Sequence, residues 1–286
     1  MTPSTKPLFW RHPELPYLEL RWVQDGRKVS YAPHSHQQWS VGAILAGQSE
    51  FRCEARLYDV KQGALVLMNP EQVHACNPRQ GSAWAYYMLH LDKDWLAGFL
   101  QQAGVRTQAI WADTKIDTLT EPALFTDFVA VAQLLMSADS VLLEKEQRLK
   151  SYLVRLFLKL DQHSQQSEHV LAPNPLYLVA DYLSEHCDED RAIESISAEF
   201  GYSPGYLVRA FKRHFHITPH AYRLNRRVQL GQQALKQGEA IAAVAQNTGF
   251  SDQAHFQRVF KQRVAATPDQ YRRPLSEQKQ DTTGSK

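Results

Sequence analysis

Residues 240–272 read AIAAVAQNTGFSDQAHFQRVFKQRVAATPDQYR, and residues 192–223 read AIESISAEFGYSPGYLVRAFKRHFHITPHAYR. The two stretches match in order. Ile193 answers Ile241, Ile196 answers Val244, Gly201 answers Gly249, and Ser203 answers Ser251, all at an offset of 48. Leu207 then answers Phe256, Arg209 answers Arg258, Phe211 answers Phe260, and Lys212 answers Lys261, at an offset of 49. One residue is therefore inserted just after the serine. Flanks ordered in this way make TPHAYR and TPDQYR the ends of one repeated unit.

Each unit has the pattern of two short helices. Ile193, Ile196 and Phe200 share one helical face, as do Ile241, Val244 and Ala245. The glycine that follows suits the left-handed turn ending a helix. The serine two residues on suits the N-cap of a second helix, and Pro204 suits its first turn. Leu207, Phe211 and Phe215 point to a core, as do Phe256, Phe260 and Val264. This is a helix-turn-helix, whose second helix can lie in a DNA major groove.

The outward faces carry Gly205, Val208, Arg209 and Lys212 in the first unit, and Gln253, Gln257, Arg258 and Lys261 in the second, with His255 nearby. Arg pairs with guanine and Gln with adenine through paired hydrogen bonds. Asp252 belongs to the positive N-terminus of its helix. From Ser203 to Arg273 there are 12 Lys or Arg against 3 acids, net +9. From Met1 to Tyr202 there are 18 against 25, net −7. A basic module beside an acidic remainder suits either a polyanionic partner or a solvated charged surface; with two helix-turn-helix units, double-stranded DNA is the expected partner. Between the units, Leu224, Val228, Gly231 and Leu235 make one stripe, so a single helix is expected to join them. Gly231 in its middle costs roughly 1 kcal/mol against Ala, which a close helix contact would explain.

Residues from about 176 to 273 resemble the DNA-binding domain of the AraC/XylS family of transcription regulators. The second unit carries the signature I-x-x-V-A-x-x-x-G-F-S, then F-x-R-x-F-K and T-P-x-x-Y-R, in full. The first departs from it at Ser197 and presents the small Gly205 to the bases. The resemblance implies base contacts from Arg209, Gln253, His255, Gln257 and Arg258, and phosphate contacts from Lys212, Arg213, Arg226, Arg227 and Lys261. RNA polymerase is a further candidate partner.

The chain ahead of this module reads differently. YLELRWV, WSVGAILA, SEFRCEA, GALVLMN and AWAYYMLHL, between residues 17 and 91, are short runs punctuated by Gly, Pro and Asn. They predict a small β-barrel or double sheet. His34, His36 and His74, with the stretch GALVLMNP, resemble the cupin barrel that many AraC-type regulators use as a sensor. Metal-binding cupins add a glutamate soon after the second histidine; Ser40 and Val41 stand there instead. An organic effector is therefore expected, with no metal and no cofactor. The candidate contacts are His34, His36, Trp39, His74, Tyr86 and His90, with the inward face of AWAYYMLHL left open. Imidazole protonates near neutral pH, so a response weakening in mild acid is also expected.

Stripes at Phe125, Phe128, Ala132 and Leu135, and at Leu149, Tyr152, Leu153, Leu156, Phe157 and Leu160, predict a helical pair. It either covers the barrel or forms a homodimer. The predicted organisation is α+β: residues 1–100 cupin-like sensor, 101–160 helical pair, 161–175 polar linker, 176–286 DNA-binding domain. Three scattered cysteines, no signal-peptide pattern and no membrane-length apolar run suit a cytoplasmic protein. The expected function is a ligand-responsive transcription regulator, not an enzyme. The alternatives are a metal-dependent cupin enzyme with a helical appendage and a ligand-independent DNA binder.

Overall fold

A computed structural model describes residues 4–79, 82–162 and 174–273. Most of the polar stretch read as a linker, residues 163–173, lies outside the described residues.

The N-terminal part is an antiparallel β-structure. Its strands are β1 (Leu8–Trp10), β2 (Leu18–Val23), β3 (Trp39–Cys53), β4 (Arg56–Lys61), β5 (Leu65–Met68), β6 (His74–Pro78) and β7 (Trp84–Leu91). WSVGAILA and SEFRCEA, read above as two runs, form the single strand β3. Gly47 permits this continuity: its φ is +78°, and a Cβ there would strike the Ala83 carbonyl. The first half of β3 pairs with β5 and β7, and the second half with β4 and β6. One strand thus serves two sheets, which enclose an interior between them.

Side-chain alternation sorts the two faces of the larger sheet. Register places Glu19 beside His90, Arg21 beside Met88, and Val23 beside Tyr86. It also places Ser40 beside His90 and Gly42 beside Met88. These residues share the interior face. Leu18, Leu20, Trp39, Val41, Leu89 and Leu91 share the opposite face. After α1 (Lys93–Gln102) and the two-residue strand β8 (Thr118–Leu119), helices α2 (Pro122–Met136) and α3 (Leu142–Gln162) cover that face. The stripe Leu149–Leu160 is fully buried there, and Phe128 meets Tyr152 at 5.5 Å. Covering the sheet, rather than an exposed dimer seam, is where this stripe goes.

The C-terminal part is helical: α4 (Leu176–Glu185), α5 (Ile193–Glu199), α6 (Pro204–Phe215), α7 (Pro219–Lys236), α8 (Ile241–Asn247), α9 (Gln253–Val264) and α10 (Pro268–Arg272). The repeated T-P has a local cause. Thr218 and Thr267 cap α7 and α10 through their side-chain oxygens, and each proline takes the first helical position. Ser203 caps α6 as expected. In the second unit the cap is Asp252, not Ser251, because the inserted residue moves the helix start by one. Its carboxylate accepts the His255 amide at 2.7 Å. Gly201 and Gly249 take left-handed φ of +74° and +76°. Gly231 is where a Cβ would come within 2.9 Å of the Phe256 ring, so the close helix contact is real.

Candidate DNA-reading faces and effector cavity

Helices α5–α6 and α8–α9 are the two helix-turn-helix units, joined by α7. Its 18 residues span about 27 Å at 1.5 Å per residue. On α6, Gly205, Arg209, Lys212 and Arg213 are exposed, and Val208 is half-buried. On α9, Gln253, Gln257, Arg258 and Lys261 are exposed, and His255 is half-buried. The apolar partners Leu207, Phe211, Phe256 and Phe260 are fully buried beneath them.

Two expected phosphate contacts are occupied otherwise. Arg227 is buried and donates to the carbonyls of Cys187, Gly249 and, at 2.9 Å, Glu189. It staples α7 to the loop after α4 and to the turn of the second unit. Arg226 donates to Glu71 of the β-structure at 2.8 Å.

His34, His36, His74, Tyr86 and His90 converge on the interior face, in a cavity of about 50 Å³ that also touches Arg21, Tyr31 and Met88. The imidazole rings form a chain: His34 to His74 at 4.5 Å, His36 to His74 at 4.8 Å, His36 to His90 at 4.9 Å. The Nδ1 atoms of His34, His36 and His74 lie 2.8–2.9 Å from the carbonyls of Ala32, Gln38 and Gln72. A carbonyl only accepts, so Nδ1 carries the proton and Nε2 is left as an acceptor. Burial pulls all four imidazoles down: His34 to about 3, His36 below its usual value, His74 and His90 well below theirs. Burial thus favours the neutral ring in all four, which runs against the expected weakening of a response in mild acid. Among the described residues no group of three or more His, Cys, Asp or Glu has a geometry for holding a metal.

A second cavity of about 140 Å³ adjoins the first and shares Arg21, His34, His36 and His90 with it. Its far wall is helical: Asn225, Gln229, Gln232, Gln233, Lys236, Arg263 and Tyr271. The cavity therefore lies at the junction between the β-structure and the DNA-reading helices. Asn225 Nδ2 donates to the Ser35 carbonyl at 3.1 Å, and Gln229 Nε2 donates to the same carbonyl at 2.8 Å. Glu19 Oε2 is shared by Arg11 at 2.7 Å, Lys236 at 2.9 Å and the Tyr271 hydroxyl at 3.0 Å. Burial pushes the Glu19 carboxyl up, but Lys236 and Arg11 pull further, leaving it well below the usual carboxylate range. Apolar plugs accompany these bonds. Phe9 enters the core of the second unit, 5.0 Å from Tyr271, and Val73 enters the core of the first.

The comparisons with known proteins agree with this geometry. The AraC-like ligand binding domain family matches residues 20–172, and the helix-turn-helix domain family matches residues 196–274. The chain belongs to the AraC family of DNA-binding transcription regulators. It is 26% identical over 234 residues to YbfI of Bacillus subtilis, an uncharacterized HTH-type transcriptional regulator, covering 80% of this chain and 82% of that one. It is 29% identical over 131 residues to the arabinose operon regulatory protein of Escherichia coli, covering 45% of each. Among solved structures, an apo single-site variant of ToxT from Vibrio cholerae matches with a TM-score of 0.55 at 13% identity, over 90% of this chain and 97% of that one, which shows a shared fold. No described helix of this AraC-family chain is long and apolar enough to cross a membrane.

Within this AraC-family protein one candidate ligand contact is displaced. Trp39 is fully buried on the outer face of the sheet, against Phe157 at 4.9 Å. It belongs to the core beneath the helical pair, because its odd position on β3 is opposite to that of Ser40. Sequence reasoning also missed Glu19, Arg21, Asn225 and Gln229. The first two carried a signal: in YLELRWV two charges alternate with large apolar residues, so both must share one strand face.

Proposed function

We propose that this AraC-family regulator reads DNA with the exposed faces of α6 and α9. A small polar effector in the junction cavity sets their placement. Residues 1–100 serve as sensor and residues 176–286 as DNA reader. The observation that carries this reading is the cavity with two owners: His34, His36 and His90 on one wall, Asn225, Gln229 and Lys236 on the other. A ligand that touches both walls has different affinity for different arrangements of the two parts. That difference is the requirement for coupling effector to DNA.

The test is a metabolite screen by thermal shift on the full chain, followed by DNA-binding titrations with and without each hit. A ligand that binds the native state alone raises the melting temperature. Asn225→Ala and His36→Ala proteins should bind DNA but lose the effector's influence on it. Hits whose effect persists in both variants would place the effector elsewhere.

A further inference from the structure

We propose that Arg21 anchors a carboxylate, and that the effector is a compact carboxylic acid that also carries a hydrogen-bond donor. This rests on the cavity reading above and names the class of molecule the cavity takes.

Arg21 lies on the interior face of β2, is only 5% exposed, and lines both cavities. Its Nε and Nη2 have no hydrogen-bond partner among the described residues. These two nitrogens share one edge of the guanidinium, the edge that grips a carboxylate with two parallel bonds. Arg223, Arg226 and Arg263 each leave a lone Nε without a partner, and Arg11 a lone Nη2; Arg21 leaves a whole fork. The ring faces of Phe9 and Tyr31, at 5.2 and 5.4 Å, support the cation.

Glu19, two residues along β2, is an acid whose charge reaches Arg21, but no carboxylate bonds the free edge of the guanidinium among the described residues. The acids lining the larger cavity are Glu19 and Asp92. Glu19 is engaged by Arg11, Lys236 and Tyr271. Asp92 accepts the amides of Asp94 and Trp95 as the cap of α1. Lys236 and Arg263 add further positive charge to the same walls. A buried cation with its donors unmet is costly, and an anionic ligand removes that cost.

Size and the opposite polarity complete the description. A cavity of about 140 Å³ is close to the roughly 150 Å³ that holds one benzene molecule, so the acid is small. The Nε2 atoms of His34 and His74 are acceptors beside Arg21, and they suit a hydroxyl or amino hydrogen on the same molecule. Fork donors on one side and imidazole acceptors on the other orient an acid that carries both kinds of group.

The experiment uses the full chain and pairs of probes that differ only in charge: 2-hydroxybutyrate, butyrate and benzoate beside their amides, with sulfate as a plain anion. Thermal shift and calorimetry are read for each. The acids should bind and stabilise, the amides should not, and the hydroxy acid should bind more tightly than butyrate. Arg21→Lys keeps the charge and loses the fork, and should weaken the acids about tenfold or more. The acid-to-amide comparison on the unmodified protein needs no variant, so it stands even if Arg21→Lys folds poorly. Equal binding of acids and amides, absence of any acid shift, equal stabilisation by sulfate, or unchanged acid affinity in Arg21→Lys would each overturn the proposal. Neutral compounds that bind and are lost in Asn225→Ala would leave the cavity reading standing while removing the carboxylate. Silence from every compound class would remove both.

Discussion

Gly201 and Gly249 hold the same turn in the two helix-turn-helix units, with φ of +74° and +76°, yet their surroundings differ. A Cβ on Gly201 would meet open space. A Cβ on Gly249 would lie 2.1 Å from the Asp188 carbonyl oxygen. The same loop is held by Arg227, which bonds the carbonyls of Cys187, Glu189 and Gly249. The first unit's turn is thus set by its own backbone, whereas the second is also seated against the loop after α4. Their plugs differ likewise: Val73 for the first unit, the larger Phe9 for the second. One repeated sequence has been fastened to the rest of the molecule in two ways, and the second unit is fastened harder.

Substituting the plugs tests that ranking most strongly. Phe9 is 1% exposed, and Phe9→Ala should cost about 3–5 kcal/mol of stability in the full chain. Val73→Ala removes two methyl groups at ~0.8 kcal/mol each, roughly 1.5 kcal/mol. Denaturant unfolding of both variants checks the pair. Equal losses would mean that the two units are held alike.

The glycines give the next largest effect. Gly201→Ala meets only the left-handed penalty, about 1–2 kcal/mol. Gly249→Ala adds the collision with Asp188 and should lose at least about 1 kcal/mol more, since overpacking alone costs roughly 1–3. Similar melting temperatures for the two variants would remove the distinction between a local and a tertiary glycine.

On the DNA side the asymmetry is carried by the reading faces. Arg258 stands among Gln253, Gln257 and Lys261, whereas Arg209 shares its face with Gly205, which offers no side chain to a base. Arg258→Ala should relax base preference at one position at a cost of roughly 1–3 kcal/mol. Arg209→Ala should do so by a smaller amount, and Lys261→Ala should weaken all sequences alike and reduce the salt dependence. Selection of binding sites from a random pool separates these outcomes. Identical profiles for Arg258→Ala and the unmodified protein would end the base-reading role.

Much of this was legible because it is periodic or local. The glycine turns, the serine cap of α6 and the Leu207–Phe211 and Phe256–Phe260 spacings follow from backbone rules that a sequence displays directly. The interior imidazoles were found for the same reason, since His34 and His36 are two apart. Trp39 was misplaced because its side is decided by strand register, which the apolar runs on both sides of it conceal. Arg226 and Arg227 looked like phosphate contacts because charge on a helix reads as exposed until the packing partner is known. Their partners, Glu71 and the carbonyls after α4, are 155 and up to 40 residues away. The junction cavity has the same origin: neither wall has a pattern that names the other.

The smallest expected effect comes from the polar link beside the weaker plug. Glu71 lies two residues before Val73 and accepts Arg226 at 2.8 Å. Its side chain is 41% exposed, against 13% for Arg226, so water screens much of the attraction. The Ser35 hydroxyl, at 3.3 Å, is a second donor to the same carboxylate. Glu71→Gln keeps the shape and removes the charge, and should cost no more than about 1 kcal/mol, a loss that shrinks as salt rises. Glu19 provides the contrast, with three donors on one buried oxygen beside the Phe9 plug. Glu19→Gln should cost several-fold more and depend less on salt, because breaking a buried pair strands its cations. If Glu71→Gln proved the costlier of the two, the first unit would be the firmly held one. The plug sizes would then be a poor guide to how this molecule grips its DNA-reading helices.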